Sequence, residues 1–496
     1  MFALFSVLGW QAEQFKTVTP VRTLTGFIVL WLLFILLLAG AEKLQVKNVH
    51  SPRFRAGAAF LIILACWLPA FLIFFPGSFA YDVPFQLEQV FTGSYSTHHP
   101  LLHTLLLGKC IQLGVALHDT NLGAAVYTAI QMFLLAGCFA LCCTSIRRQS
   151  SEGAAWLATI FFAVYPMHMF MAVNATKDVL FAGCFALFVV LCREEIVLPL
   201  TGKRKGILLA SGVLAMLLRN NAVYAMAVWG LFLLFSRGTR RLGGMALACV
   251  LLALTVSTCL STALHAEPGD LREMLSVPIQ QLARSRRVSG KELTEEERQA
   301  IDELFPDKGW KNYMPGIADP TKFAFDTERF LSDPGKYVGI WLSIGRRMPS
   351  VYVDAFVLLT YPFYWPYRQY KVPGYYLQMG ILDDYYEFRT FEPITDGSVF
   401  PRLRESLTWR FGARGAMQIP VVGWLFNMGV VVWALFLSLY RAAAAGDKRT
   451  VRVGMLAVLL WGTFLLGPVM AGRYVYVFMC LLPTLAFKSR KTEELQ

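Results

Sequence analysis

Long apolar runs separated by short basic loops fill most of the chain and restrict the folds it can adopt. A helical run of about 20 apolar residues matches the hydrocarbon thickness of a bilayer. Backbone groups in lipid must be hydrogen-bonded within the protein, so such runs form helices. Charged residues make up only 16% of the 496 residues, whereas soluble proteins carry about 25%. The pattern predicts an all-α polytopic membrane protein.

About eleven runs are predicted to span the membrane, and the loops between them indicate their orientation. The predicted spans are 23–41, 56–76, 121–144, 153–173, 179–198, 206–219, 222–236, 242–264, 418–440, 452–471 and 474–488. The basic loops can all be cytoplasmic if the N-terminus starts outside. This orientation requires that the apolar stretch Leu101–Leu117 lies along the outer interface as a juxtamembrane helix instead of spanning.

Three regions follow from this topology. Residues 1–264 form an N-terminal transmembrane module whose first extracytoplasmic loop covers 77–120. Residues 265–417 form a large extracytoplasmic domain of mixed character, and residues 418–496 contain the last transmembrane helices and a cytoplasmic tail. The net charge of +13 is spread over the short loops, and no basic face or aromatic-basic platform accompanies it. We therefore expect a bilayer partner and no nucleic acid.

The first outer loop contains a candidate catalytic acid. Asp82 lies a few residues beyond the predicted membrane exit, where a carboxylate can meet a lipid headgroup and an aqueous acceptor. It is a candidate general base, and the alternative is a helix N-cap or a solvated loop acid. Gln86 follows at i+4, on the same face if the segment is helical.

Three histidines later in this loop raise the question of a metal. His98, His99 and His103 together with Asp82 would form a ligand set for a divalent ion. Adjacent histidine side chains diverge, however, so they rarely bind the same ion. We favour hydrogen bonds to a substrate or to the loop and assign no metal ligand here, while a divalent metal remains open as a cofactor.

Three other outward turns carry cations. Lys177 and Asp178 lie at the edge of a span, and Arg219 and Arg473 lie at outer helix junctions, against the positive-inside trend. A guanidinium binds phosphate oxygens bidentately, so these cations suit an anionic headgroup, with Asp178 orienting the phosphate or the acceptor. The alternatives are ion pairs, snorkelling side chains and interfacial anchors. Predicted donor or acceptor contacts are Tyr81, Gln86, His98, His99, His103, Asn220 and Tyr474.

The order and common sidedness of these motifs resemble the GT-C superfamily of polytopic glycosyltransferases, which includes protein O-mannosyltransferases and lipid A aminoarabinose transferases. The matching elements are Tyr81-Asp82, His98-His99-Pro100-Leu-Leu, Lys177-Asp178 and Arg473-Tyr474. Segments 276–284 and 361–366 are similar to uncharacterised bacterial members of this class. The family's first acid is often half of an acidic pair, whereas Asp82 stands alone until Glu88.

The resemblance implies a GT-C-like fold in the plasma membrane, with its active site on the extracytoplasmic face. It implies a polyprenyl-phosphate-linked sugar as donor and an envelope glycan, lipid or protein as acceptor. Asp82 would deprotonate the acceptor hydroxyl in an inverting displacement. Lys177, Arg219 and Arg473 would stabilise the leaving phosphate.

Two other functions remain open from the sequence. One is a transporter or flippase for lipid-linked glycans, although transporters usually show repeats and charges in the middle of the membrane. The other is an envelope-assembly or ligase-like protein without a sugar-lipid donor of its own. Charges gathered on one outer face favour an enzyme.

Overall fold

The computed structural model describes residues 2–15, 17–41, 52–236, 238–366, 391–409 and 422–487. Nearly all regular structure in this part of the chain is helical. The N-terminal half contains α1 (Phe2–Phe15), α2 (Pro20–Ala41), α3 (Ala56–Ile73), α4 (Val83–Thr92), α5 (Leu101–Ala116), α6 (Thr120–Gln149), α7 (Glu152–Val164), α8 (Pro166–Ala172), α9 (Lys177–Val197), α10 (Gly202–Leu218), α11 (Asn221–Leu234) and α12 (Arg240–Ala263). Two short parallel strands, β1 (Ser78–Phe79) and β2 (Asn174–Ala175), pair with each other.

Shorter helices alternate with turns in the described part of residues 265–417, the hydrophilic segment, and three apolar helices follow it. They are α13 (Ser276–Val288), α14 (Glu295–Leu304), α15 (Asp319–Phe323), α16 (Thr327–Ser332), α17 (Pro334–Arg347), α18 (Pro349–Thr360), α19 (Pro401–Thr408), α20 (Met428–Ala444), α21 (Lys448–Phe464) and α22 (Gly472–Ala486). Short 3₁₀ turns occupy Leu271–Leu275, Pro306–Asn312, Tyr361–Phe363 and Val422–Leu425.

The mainly helical fold is confirmed, and it contains helices that could span a membrane. Among the described residues, α3, α6 and α12 are long and apolar enough to cross a bilayer, and α7 with α8 makes a fourth if the bent pair counts as one span. The pair bends by 59° at Tyr165, which precedes Pro166 and has an extended backbone. Among the described residues, each of the other predicted spans overlaps a helix, and the arrangement as eleven spans stays a prediction.

Helix α9 lies at the centre of the apolar core. It packs against α6, α10 and α22, and its residues are buried on nearly every side. An apolar helix without a polar stripe is buried in this way inside a bundle. The polar residues of α9 sit at its two ends, with Lys177 and Asp178 at the start and Arg193, Glu194 and Glu195 at the finish.

The C-terminal end of α9 forms a buried ionic cluster. The fully buried Glu194 accepts from Arg148 Nε of α6 at 2.6 Å and from Arg204 of α10 at 2.5 Å. Ser145 adds a hydrogen bond to the same carboxylate, and Arg193 donates to the Phe487 carbonyl at the end of α22. Hydrogen bonds that satisfy both carboxylate oxygens reduce the cost of burying the charge.

The hydrophilic segment has a hydrophobic core of its own, formed mainly by α13, α14, α17 and α18. The contacts that join it to the apolar bundle include two backbone pairings. Tyr95 and Thr97 pair with Glu267, and Ala318 N donates to the Pro468 carbonyl at 2.7 Å. Residues 391–409 pack elsewhere, against the end of α3 and the start of α6, where Gly397 N donates to the Phe75 carbonyl.

We expect the substitution Glu194→Gln to destabilise the bundle. It leaves Arg148 and Arg204 without their carboxylate, and loss of one partner of a buried pair costs about 3–5 kcal/mol. Thermal unfolding in detergent measures the change. The matched control is Glu295→Gln, whose side chain is 83% exposed in its pair with Arg298, so its effect should stay within about 0.5 kcal/mol. Equal melting temperatures for the two variants would contradict the role of Glu194.

Candidate functional site

The strands β1 and β2 bring two distant loops together. Ser78 pairs with Asn174 and Phe79 with Ala175, and Ala80 N donates to the Ala175 carbonyl at 3.2 Å. Each strand is followed within a few residues by a predicted site residue, Asp82 after β1 and Lys177 after β2. Since the strands are parallel, both side chains emerge at the same edge.

Asp82 forms two ion pairs. Its Oδ2 lies 2.9 Å from Lys177 Nζ, and its Oδ1 accepts a hydrogen bond from Arg473 at 3.1 Å. The three side chains come from α4's N-terminal turn, the start of α9 and the start of α22. The structure therefore joins residues that are 95 and 391 positions apart in sequence, as the prediction of a shared site requires.

Asp178 holds the remaining cation. Its carboxylate pairs with Arg219 and lies 3.4 Å from Arg473 Nε. Asp178 is only 1% exposed and sits in the first turn of α9, where the helix dipole favours a negative charge. Thr176 caps this turn through its hydroxyl, which accepts from Asp178 N.

Aromatic rings surround the Arg219 guanidinium. Its Cζ atom lies 4.3 Å from the ring centroid of Tyr474 and 4.6 Å from that of Phe464. Such rings attract a cation and keep water away from it. Arg219 is thus a largely buried arginine at the wall of the site, where it can strengthen the field around a phosphate.

Burial and cations determine the protonation of His99 and Asp82. Burial, followed by the charge of Lys177, lowers the pKa of His99 well below its usual value, so neutral His99 accepts from Lys177 Nζ at Nδ1, 3.1 Å away. Burial alone would raise the pKa of Asp82, but Arg473 and Lys177 outweigh it and hold that pKa well below 3.8. Asp82 is therefore an ionised carboxylate at neutral pH.

Two predicted substrate contacts lie elsewhere. Gln86 and His103 are buried, and the cavity does not reach them. Gln86 Nε2 bonds to His103 Nδ1 at 3.0 Å, His103 Nε2 bonds to Tyr127 at 2.7 Å, and Tyr127 donates to Gln131 at 2.9 Å. Gln131 then donates to the Asn174 carbonyl in β2. These residues tie α4 to β2 and so position the site instead of contacting its contents.

A cavity of about 2180 Å³ opens at the group formed by Asp82, Lys177, Asp178, Arg219 and Arg473, which is called the ionic cluster from here on. Its walls include the other predicted residues, namely Tyr81, Asp82, His98, His99, Lys177, Arg219, Asn220, Arg473 and Tyr474. Asp178 lies behind this wall. The volume is ample for a sugar and a phosphate group, since small-ligand pockets measure about 300–1000 Å³.

The cavity wall also contains charged residues that sequence reasoning missed. They come from the hydrophilic segment and are Asp270, Arg272, Glu273, Asp319, Lys322, Asp396, Arg404 and Glu405. The spacing of Asp319 and Lys322 at the start of a helix was a usable signal for an ion pair. Nothing in the sequence distinguished the others from ordinary surface charges.

Within the described residues, no group of three or more histidine, cysteine, aspartate or glutamate side chains is arranged to hold a metal ion. Charged side chains dominate the candidate site. Three cations face two carboxylates, which leaves one formal positive charge. Such a cluster suits a phosphate group, and Asp82 can accept a proton once its cations turn toward that phosphate.

A family model described as a family of unknown function, DUF6020, matches residues 91–495. The matched region contains every cation of the ionic cluster, whereas Asp82 precedes it. No curated protein matches the chain. No solved structure matches it either. Because the match covers most of its length, the chain belongs to the DUF6020 family.

Proposed function

We propose that this protein is a GT-C-type glycosyltransferase that moves a sugar from a polyprenyl-phosphate donor to a cell-envelope acceptor, with Asp82 as general base. The observation that carries the proposal is the pairing of Asp82 with Lys177 and Arg473 at the wall of the cavity. A base beside two phosphate-binding cations is the minimum that displacement of a lipid phosphate requires.

The proposed reaction uses these contacts. The acceptor hydroxyl oxygen attacks the anomeric carbon, and its proton passes to the Asp82 carboxylate. The bond between the anomeric carbon and the phosphate oxygen breaks, and polyprenyl phosphate leaves with the electron pair. Lys177, Arg219 and Arg473 neutralise the charge that develops on the leaving oxygen.

Donor binding would also activate the base. In the free protein, Lys177 and Arg473 satisfy Asp82 and lower its pKa. A donor phosphate competes for the same two cations, so the carboxylate loses part of its stabilisation when the donor binds. Its pKa then rises and it becomes a stronger proton acceptor.

We place the site on the extracytoplasmic face of the plasma membrane in an eleven-span topology. Lys177 and Glu194 lie near opposite ends of α9, about 25 Å apart at 1.5 Å per residue, which is close to the bilayer's hydrocarbon thickness. Arg148 and Arg204 gather at the Glu194 end. This agrees with basic loops on the cytoplasmic side and with the cavity on the other.

We expect Asp82→Asn to abolish transfer while the protein stays folded, because Lys177 and Arg473, unlike the partners of the fully buried Glu194, line the cavity together with Asp82. The amide cannot accept the proton, and loss of general-base catalysis lowers a rate about 10²–10⁴-fold. The measurement is mass spectrometry of envelope glycans from a strain that lacks the native gene and expresses the variant protein in its place. The matched control is Glu88→Gln, an exposed carboxylate on the same helix and the same cavity, which should restore the glycan. Restoration by Asp82→Asn would exclude Asp82 as the base.

We expect Arg473→Ala to weaken binding of polyprenyl phosphate, because a cation facing the leaving group is removed. Thermal shift with added polyprenyl phosphate measures this, each protein being compared with its own ligand-free melting temperature. Ligand stabilisation grows with the ratio of ligand concentration to Kd, so the variant should shift less than wild type. The control is Arg346→Ala, an exposed arginine away from the cavity. Equal shifts in all three proteins would argue against a phosphate contact at Arg473.

The pH dependence of transfer should reflect the two states of Asp82. Because the pKa of Asp82 in the free protein is well below 3.8, kcat/KM should stay level as the pH falls from about 7 to 5. The acid limb of kcat should lie at higher pH than that of kcat/KM. It reports the donor-bound state, in which the cations contact phosphate and the pKa of Asp82 is higher. Initial rates of polyprenyl-phosphate release test this. A fall in kcat/KM near pH 6 would assign the base to another group.

A further inference from the structure

The cavity has a second polar wall, opposite in character to the ionic cluster. We define this second wall by Asp270, Arg272, Glu273, Asp319, Lys322 and Phe323, all of which line the cavity. All six lie between residues 270 and 323 of the hydrophilic segment. The function proposed above assigns them no role.

Backbone contacts hold the second wall beside the ionic cluster. Glu267 N donates to the Tyr95 carbonyl at 2.9 Å, and Thr97 N donates to the Glu267 carbonyl at 2.8 Å. This pairing sets residues 270–273 next to His98 and His99. The hydrogen bond from Ala318 N to the Pro468 carbonyl ties the start of α15 to the loop that precedes Arg473.

Lys322 organises the wall. Its ammonium group is nearly buried and lies 2.7 Å from Glu273 Oε2 and 2.8 Å from Asp319 Oδ1. Burial alone would lower the pKa of Lys322, but the two carboxylates raise it above its usual value, so the lysine stays charged. Within the described chain, carboxylates use two of its three N–H groups, which leaves one for an oxygen atom of a ligand.

Phe323 adds an apolar surface to this polar wall. Its side chain is 65% exposed although it faces the cavity, and both Lys322 and Arg272 lie within 6 Å of its ring. An exposed aromatic ring flanked by carboxylates and an ammonium group matches a sugar ring, which has apolar C–H faces and hydroxyl edges.

The net charge of the second wall favours a neutral acceptor over an anionic one. The second wall has three carboxylates and two cations, so its formal charge is negative, whereas the ionic cluster around Asp82 has a positive balance. A phosphate-rich polymer would be repelled from the second wall and attracted to the donor site. A neutral glycan has no charge to oppose either wall.

We propose that the second wall is the acceptor subsite and that it binds a neutral glycan, with a sugar ring on Phe323 and hydroxyls on Lys322, Glu273 and Asp319. This inference rests on the proposed function, because the bound glycan would present a hydroxyl group to Asp82. It narrows the acceptor from any envelope molecule to an uncharged carbohydrate.

Binding by the full-length protein in detergent tests the proposal without requiring turnover. The probes are an array of neutral hexose and N-acetylhexosamine oligosaccharides and, as the anionic alternative, oligomers of glycerol phosphate. Wild type should retain neutral oligosaccharides, and Phe323→Ala and Glu273→Gln should each weaken that binding about tenfold, as expected for a contact at the centre of a site. The matched control is Phe400→Ala, an exposed phenylalanine outside the cavity, which should bind like wild type.

A thermal shift with polyprenyl phosphate on the same preparations separates the two proposals. Phe323→Ala should keep the full shift. If polyprenyl phosphate stabilises wild type but no neutral oligosaccharide binds, or only glycerol phosphate binds, the acceptor subsite is wrong and the donor site stands. Unchanged glycan binding in Phe323→Ala also overturns it. If polyprenyl phosphate fails to stabilise wild type, the proposed transferase itself fails.

Discussion

The Asp82 carboxylate, shared between Lys177 and Arg473, is the interaction on which the candidate site depends. It joins the first loop to the starts of α9 and α22, and no other contact connects all three at the cavity wall in the described chain. Two buried carboxylates and three cations in one place are costly unless they pair. The pairing therefore holds the three cations in position, and it keeps Asp82 ionised.

Helix α9 links this cluster to the rest of the bundle. Its apolar middle is buried among α6, α10 and α22, and each end carries an ionic group. The two ionic groups differ in their access to the cavity. At the Glu194 end the carboxylate is fully buried and hydrogen-bonded, as in a structural cluster. At the Asp82 end the charges line a large cavity, where a ligand can exchange partners with them.

The cavity belongs to two parts of the chain. The bundle supplies the ionic cluster, and the hydrophilic segment supplies a wall of mixed charge with an exposed aromatic ring. Short backbone pairings at residues 95–97 and 317–318 join the parts. A donor held by the bundle and an acceptor held by the segment would then meet at Asp82. Gln86 and His103 contribute from behind, through the buried hydrogen bonds that tie α4 to β2.

The sequence by itself determined the helical class, the presence of helices apolar enough to cross a membrane and the loops that carry the charges of the site. Apolar length and basic loops are local properties, and lipid leaves the backbone few alternatives to a helix. Asp82, Lys177, Arg219 and Arg473 could be selected because each breaks the local pattern of its loop. Only the tertiary structure decided that Asp82 pairs with Arg473, that Gln86 and His103 are buried, and that Lys322 and Phe323 face the same cavity. Those relations depend on packing between residues hundreds of positions apart, and no local periodicity records them.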